Sequence, residues 1–336
     1  MKNVASIRDV AKRANVGATT VSRYLNDSGY VSEESRKKIE IAIKELNYIP
    51  NELARNLFHK KSGIVAVLVP DVAHPFFGEF VKHVERKLYE RGYKTMICNA
   101  ANEKNSELEY IDMLHRHIVD GIITGVHTLQ VEEYLKINKP IVALDRYLDD
   151  KIPVVGVDHY RGGEMAAECL IACGCKNVLQ FQGAKAVKSP AHERHTAFER
   201  VMKEHGIQVH TRELEWNRFE EAYFKQVVHE TFEKHPGIDG VFGTDLLAIS
   251  YMKEAVKMGK RVPEDVKVVA YDGTYVTDIA IPSVTSIVQP MEQLAAESVR
   301  LLVNQIEGIP NLEGRVVLDV ELIPGETTHI QNNGYQ

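Results

Sequence analysis

Residues 16 to 26 read VGATTVSRYLN, a stretch with no acid, one base and a run of small hydroxyl and methyl side chains closing on a tyrosine and a leucine. A helix with such short side chains on one face can approach a flat or grooved partner closely. Upstream, Ser6 and Asp9 stand at capping-box spacing, and Ile7, Val10, Ala11 and Ala14 fall at i, i+3, i+4 and i+7 on one helical face. Asn15, which tolerates the left-handed conformation, ends that helix. Val16 returns to the core, Gly17 caps the next helix, and Thr20, Val21, Tyr24 and Leu25 form its inner side. Asn26-Asp27-Ser28-Gly29 reads as a turn. A third helix follows Ser32, with Glu33 and Glu34 in its first turn and Ile39, Ala42, Ile43 and Leu46 as its apolar stripe.

Two short helices joined by a tight turn and closed by a third describe a helix-turn-helix module. In that module Ala18, Thr19 and Ser22 keep the exposed face low enough to reach base edges. Thr19 and Ser22 can donate to phosphates, and Arg23 adds a cation at the rim. The same pattern also suits a small three-helix packing unit with surface hydroxyls, and the head alone leaves both readings open.

Charge distribution favours a polyanion at this end. The chain of 336 residues carries a formal net charge of −6, yet residues 1 to 61 hold twelve Lys and Arg against seven Asp and Glu, leaving 29 against 40 in the remainder. A basic head on an acidic body points to nucleic acid as the partner of the head only. Between them, YIPNELARNLFHKK (residues 48 to 61) offers a helix capped by Asn51 with Leu53, Ala54, Leu57 and Phe58 on one side. It is about two turns long, short of the ~12 to 15 residues an isolated helix needs in water. The spacing predicts a hinge helix formed only when something else orders it.

After Ser62 the pattern changes. The apolar runs GIVAVLVPD, YKTMICNA, GIITGV, PIVALDRY, VVGVDH, NVLQFQG, GVFGTD and KVVAYDG alternate with helical stretches such as PFFGEFVKHVERKLYERG and GGEMAAECLIACG. That alternation predicts parallel sheets covered by helices, and nine or so strands divide better into two doubly wound lobes than one sheet. The fold class is thus α/β with an all-α head. Ligands of such sheets sit at the carboxyl ends of strands, where the sequence places Asp71, His74, Asp145, Arg146, Asp245 and Asp272.

These motifs resemble one family throughout. DVAKRA from Asp9, VGATTVSRYLN, the VS pair at 31 and 32, and LNYIPNELARNL at 46 to 57 look like the head and hinge of the LacI/GalR bacterial transcriptional repressors. HPFF at 74 to 77, LDR at 144 to 146, RHTAF at 194 to 198, TD at 244, YDGT at 271 to 274 and SVTSIVQP at 283 to 290 are similar to that family's periplasmic-binding-protein-like core. Gly17 in place of a serine cap and Asn15 in place of a glycine are departures from the pattern. The resemblance implies a homodimer whose heads read the halves of a pseudo-palindromic operator. Ala18 and Thr19 then face bases, Ser22 and Arg23 the groove edge, and Asn26, Asn51 and Ala54 complete the DNA-facing set. Leu57 is the wedge in the central minor groove, where it offsets unstacking by allowing a bend that brings more protein onto DNA.

The resemblance also implies domains at 1–49 (head), 50–61 (hinge) and 62–336 (core). Within the core, one lobe spans about 62–160 and 291–322, the other about 161–290 and 323–336. An effector lies between the lobes against His74, Asp145, Arg194, Trp216, Asp245 and Asp272. Carboxylates and a guanidinium pair with neighbouring hydroxyls while an indole covers a sugar's C–H face, so a sugar is favoured, with sucrose or a related fructose-containing sugar the narrower expectation. A phosphorylated carrier protein as co-effector is the alternative partner.

Other classes fit less well. There is no GxSxG, HExxH or GxxxxGK[ST], and His192-Glu193-Arg194-His195 is one residue short of the zinc motif. A sugar-processing enzyme or a transport receptor would share the core but have no use for the basic head. Cys98, Cys169, Cys173 and Cys175 lack a second CxxC or a histidine at finger spacing, so no metal and no cofactor is expected. With no apolar run near ~18 residues and no signal-peptide core at the start, a cytoplasmic location without membrane contact is expected. No heptad repeat follows residue 325, which favours a dimer over a tetramer. If Leu57 is the wedge, Leu57→Ala weakens operator binding in a gel-shift titration and leaves sugar affinity in place; equal operator affinity removes that role.

Overall fold

The computed structural model describes residues 5–49, 61–100, 106–126, 131–134, 136–146, 152–216 and 218–328. Two compact units emerge, Met1–Gly63 and Ile64–Gln336. In the first, α1 (Ile7–Ala14), α2 (Ala18–Asn26) and α3 (Glu33–Leu46) follow one another. Ser6 Oγ accepts from the Asp9 N–H at 3.4 Å and the Asp9 carboxylate accepts from the Ser6 N–H at 2.8 Å, a complete capping box. Each helix ends on a left-handed Asn or Asp: Asn15 at φ 54°, Asp27 at φ 48° and Asn47 at φ 45°. Val10, Val21 and Ile39 are fully buried between the three helices, with Tyr24 and Leu25 packed against them. The opposite side of α2 is thereby left to solvent.

The second unit holds two sheets. β1 (Ile64–Val69), β2 (Lys94–Asn99), β3 (Gly121–Thr124), β4 (Ile141–Leu144), β5 (Val154–Val157) and β11 (Arg315–Leu318) pair in the order β11-β5-β4-β3-β1-β2, all parallel. β6 (Asn177–Gln182), β7 (Gln208–Glu213), β8 (Gly240–Thr244), β9 (Lys267–Asp272), β10 (Thr285–Val288) and β12 (Glu321–Ile323) repeat the plan as β12-β10-β9-β8-β6-β7, with β12 antiparallel. The eight apolar runs seen in the sequence are all strands. Those with both faces covered, such as IVAVLV, are near-continuously buried, as parallel sheets under helices require. β7, β11 and β12 are half-exposed edge strands with mixed sequences, which is why no apolar run announced them.

Nine helices connect the strands: α4 (Pro75–Glu90), α5 (Ser106–His115), α6 (Val131–Tyr134), α7 (His159–Ala172), α8 (Glu193–Glu204), α9 (Glu221–Lys234), α10 (Asp245–Lys257), α11 (Tyr275–Ile279) and α12 (Met291–Glu307), among the described residues. The chain passes between the sheets after β5, after β10 and after β11. In each sheet the order reverses next to the first strand, so β1 and β3 in one and β6 and β8 in the other flank a crevice at their carboxyl ends.

One close approach aligns the second crevice. A Cβ on Gly163 of α7 would lie 2.0 Å from the carbonyl oxygen of Arg194, and one on Gly162 would lie 2.8 Å from the ring of Tyr271. Glycine at 162 and 163 therefore lets α7 press onto the first turn of α8 and onto β9. In an open helix alanine is better than glycine by ~1 kcal/mol. Here the clash is with backbone, so Gly163→Ala should destabilise the core by about 1–3 kcal/mol in urea unfolding. A gain in stability would show that the approach is not constrained.

Candidate ligand cavity and DNA-facing helix

The carboxyl ends of the two sheets enclose a cavity of about 270 Å³. Strand-end residues supply its polar groups: His74 follows β1, Asp145 follows β4, Asp272 closes β9 and Gln289 follows β10, while Arg194 comes from the first turn of α8. Phe77, Trp216 and Phe219 line an apolar side. Both carboxylates ride on unusual backbone, Asp145 at φ 47° and Asp272 at φ 118°. Conformations of this kind cost of order 1–3 kcal/mol and persist at binding sites because the surroundings enforce them.

Asp272 is 5% exposed and its Oδ1 accepts from Gln289 Nε2 at 2.9 Å. Burial and the neighbouring Asp245 carboxylate push its pKa well above the usual carboxylate range, against the pull of Arg194. The guanidinium of Arg194 lies over the Tyr271 ring, 4.3 Å from its centroid. On the other sheet, Asp145 Oδ1 is 3.0 Å from His159 Nε2, an ion-pair distance without hydrogen-bond alignment. His159 Nδ1 lies 2.8 Å from the Tyr271 hydroxyl, so Asp145, His159 and Tyr271 run in line from one sheet to the other. Burial lowers the pKa of His74 to about 4, leaving a neutral imidazole. Among the described residues, neither its Nδ1 nor Gln289 Oε1 has a hydrogen-bond partner.

The lobes touch across the mouth of the cavity. Ser189 Oγ, from the loop after β6, donates to the Asp145 carbonyl at 2.8 Å. Phe219 packs edge-on to His74 and Phe77, with ring centroids 5.5 and 6.3 Å away.

Of the residues expected from sequence, His74, Asp145, Arg194, Trp216 and Asp272 line this cavity; Trp216 keeps 46% of its surface exposed. Asp245 does not line it. Its carboxylate, 1% exposed, accepts from the Gly273 N–H at 3.1 Å, the Thr274 N–H at 2.7 Å and the Thr274 hydroxyl at 2.7 Å. It braces the loop that carries Asp272 in place of the ligand contact expected for it, and burial raises its pKa to about 6. His159, Ser189, Phe219 and Gln289 were missed by the sequence reading. Gln289 had a signal, since it lies in the SVTSIVQP motif just before Pro290, but that motif, unlike the longer apolar runs, does not announce a strand.

On the head, Ala18, Thr19 and Arg23 are exposed on the outer side of α2, and Ser22 and Asn26 are half-buried with Asn26 Nδ2 donating to Ser22 Oγ at 3.3 Å. Asn51, Ala54 and Leu57 lie outside the described residues.

Comparison with known proteins agrees with both halves of this arrangement. Residues 6–51 match the model of bacterial regulatory proteins of the lacI family, and residues 167–328 match a periplasmic binding protein-like domain. A ribose operon repressor of Halalkalibacterium halodurans is 39% identical over 326 residues, 97% of each chain. The chain belongs to the lacI family of bacterial regulatory proteins. A sucrose operon repressor of Pediococcus pentosaceus is 36% identical, covering 96% of this chain and 98% of the relative. Among solved lacI-family structures, the lac repressor dimer bound to operator and the anti-inducer ONPF superposes with a TM-score of 0.84 at 26% identity, covering 97% of this chain and 99% of that one. No helix among the described residues is long and apolar enough to cross a membrane.

The buried acid yields a test. An acid whose folded pKa is raised loses stability as pH climbs from its unfolded value, near 3.8, through its folded pKa. Asp272→Asn removes that loss. Urea unfolding at pH 5 and pH 8 should show the variant gaining on the wild type as pH rises, and parallel curves would mean that Asp272 is not a charge held out of water.

Proposed function

We propose that this chain is an operator-binding repressor whose DNA affinity is set by a neutral sugar held between the two lobes. The observation that carries the reading is the inner polar set of the cavity, Asp145, Asp272, the acceptor Gln289 Oε1 and Arg194, facing the aromatic side chains of Phe77, Trp216 and Phe219, while Arg218 and Glu215, also on its lining, are ion-paired to each other. Acceptors in excess suit the hydroxyl protons of a polyol, and the aromatic side suits its C–H face. The volume, near the low end of the ~300–1,000 Å³ of small-molecule sites, fits a small saccharide. The ribose and sucrose operon repressors similar to this chain support the class and leave the individual sugar open.

The working form is a homodimer in which α2 of each head enters the major groove of a half-site, with Ala18 and Thr19 facing bases, Ser22, Arg23 and Asn26 at the groove edge, and Asn51, Ala54 and Leu57 at the centre of the operator. The head is residues 1–49, the hinge 50–61 and the core 62–336. A sugar moves the balance between DNA-binding and released forms only by its preference for one of them, typically ~1–3 kcal/mol. The contacts across the cavity through which a sugar would act are Ser189 to Asp145, Phe219 to His74 and Phe77, and the Asp145, His159, Tyr271 line. The chain acts as a regulator and not as an enzyme, in keeping with its family, and the cytoplasm is its place of work.

A thermal-shift screen against neutral sugars, sugar phosphates, nucleobases and amino acids tests the ligand class, since a ligand at ~100 times its dissociation constant adds about 2.7 kcal/mol. A neutral sugar should raise the midpoint. Arg194→Ala should abolish that shift and the sugar's effect on operator binding while basal operator affinity stays within about two-fold. An unchanged dose-response takes Arg194 out of the site.

A further inference from the structure

Next to Arg194 ends a polar chain, running from the surface into the core, that the sugar reading does not use. Gln180, on β6, is fully buried, and its amide Nε2 donates to the Glu199 carboxylate and to Thr211 Oγ1, the latter at 3.0 Å. Thr211 Oγ1 in turn donates to Glu199 at 2.9 Å. A carboxylate facing the amide can only accept, so the Gln180 amide has one orientation and its Oε1 points the other way. That oxygen lies 3.2 Å from His195 Nδ1. Because Oε1 can only accept, Nδ1 carries the proton, and Nε2 is left with a lone pair. Arg194 Nε donates to that lone pair at 3.4 Å. His195 is 3% exposed, and burial beside Arg194, His192 and His159 holds its pKa well below the ordinary histidine value, so the ring stays neutral and the lone pair stays available.

We propose that His195, seated on Gln180, is the positioning residue for Arg194: it occupies the Nε edge of the guanidinium and leaves the outer pair of Nη groups to face the ligand. The Tyr271 ring fixes the plane of the same guanidinium, and Gly163 packs on the Arg194 carbonyl, so plane, edge and backbone are each set by a different neighbour. This sets the direction of approach. Side-on pairing uses Nε and one Nη, and that edge is already taken. The outer edge presents two parallel donors, which suit a pair of neighbouring acceptor oxygens arriving end-on.

The inference rests on Arg194 as a ligand-binding residue, and its test is built to separate the two. With the full-length protein labelled with ¹⁵N at histidine and arginine, NMR reads the His195 tautomer and the exchange of the Arg194 Nε–H without any ligand, using His195→Leu and Arg194→Ala to assign the signals. Positioning predicts a protonated Nδ1, an unprotonated Nε2 and an Arg194 Nε–H that exchanges slowly. Exchange should speed up at least about ten-fold in His195→Leu and return toward wild type in His195→Gln, whose side-chain carbonyl can accept the same bond. A protonated Nε2, or an Arg194 Nε–H unaffected by His195→Leu, overturns the proposal. Calorimetry with D-ribose and sucrose then reads function: His195→Leu should weaken the binding sugar at least about ten-fold, and His195→Gln should recover most of it. If neither sugar binds the wild type, the choice of sugar falls while the NMR result still decides the positioning.

Discussion

Asp272, buried, and Asp145 and Arg194, partly buried, are gathered where the carboxyl ends of two parallel sheets meet, and the rest of the core is arranged around them. A buried carboxylate without a full set of donors costs several kcal/mol. The cost is met in part by Gln289 on Asp272, by His159 near Asp145, and by Arg194 between the lobes. Beside them, Gln289 Oε1 and His74 Nδ1 have no partner among the described residues. The hydroxyl groups of a sugar would supply the missing hydrogen bonds. A ligand that reaches Asp145 and Asp272 would bear on both lobes at once, because Asp145 belongs to one sheet and Asp272 to the other.

The topology makes that sharing unavoidable. Each sheet has its order reversal beside its first strand, and the chain crosses between sheets at three places, so the two crevices cannot be formed independently. Around them, the strained strand-end residues Asp145 and Asp272 are braced from behind: Asp245 accepts three hydrogen bonds from the Gly273–Thr274 loop, and Ser189 ties the Asp145 carbonyl to the opposite lobe. Backbone strain at one end of a strand is thus held by polar groups from other loops, Asp245 behind the cavity and Ser189 at its edge. The head follows simpler rules. Its three helices are set by one capping box and three left-handed stops, and burying Val21 on one side of α2 turns Ala18, Thr19 and Arg23 outward.

Much of this was legible in the residues alone because the signals were local. Capping residues, the αL-tolerant Asn15, the heptad-like apolar spacing of the head and the β-branched runs of the inner strands each act over a few positions. The half-exposed edges β7, β11 and β12 carry no such run, since one face of each is open to solvent. At the site, acids at strand ends were visible, but the division of labour among them was not. Asp245 and Asp272 both follow buried strands; only the placement of the Gly273–Thr274 loop decides that one braces and the other faces the cavity. His159, Ser189 and Gln180 act through partners 112, 44 and 15 residues away, and pairings of that range have no periodicity to betray them.

The central claim is that occupancy of the cavity and grip on the operator are one linked equilibrium. Its most direct measurement is reciprocal: operator affinity by fluorescence anisotropy with and without saturating sugar, and sugar affinity by calorimetry with and without saturating operator. Linkage predicts the same factor from both sides, on the order of 5- to 150-fold. A sugar that binds the cavity tightly yet leaves operator affinity unchanged, or two factors that disagree beyond error, would contradict the account.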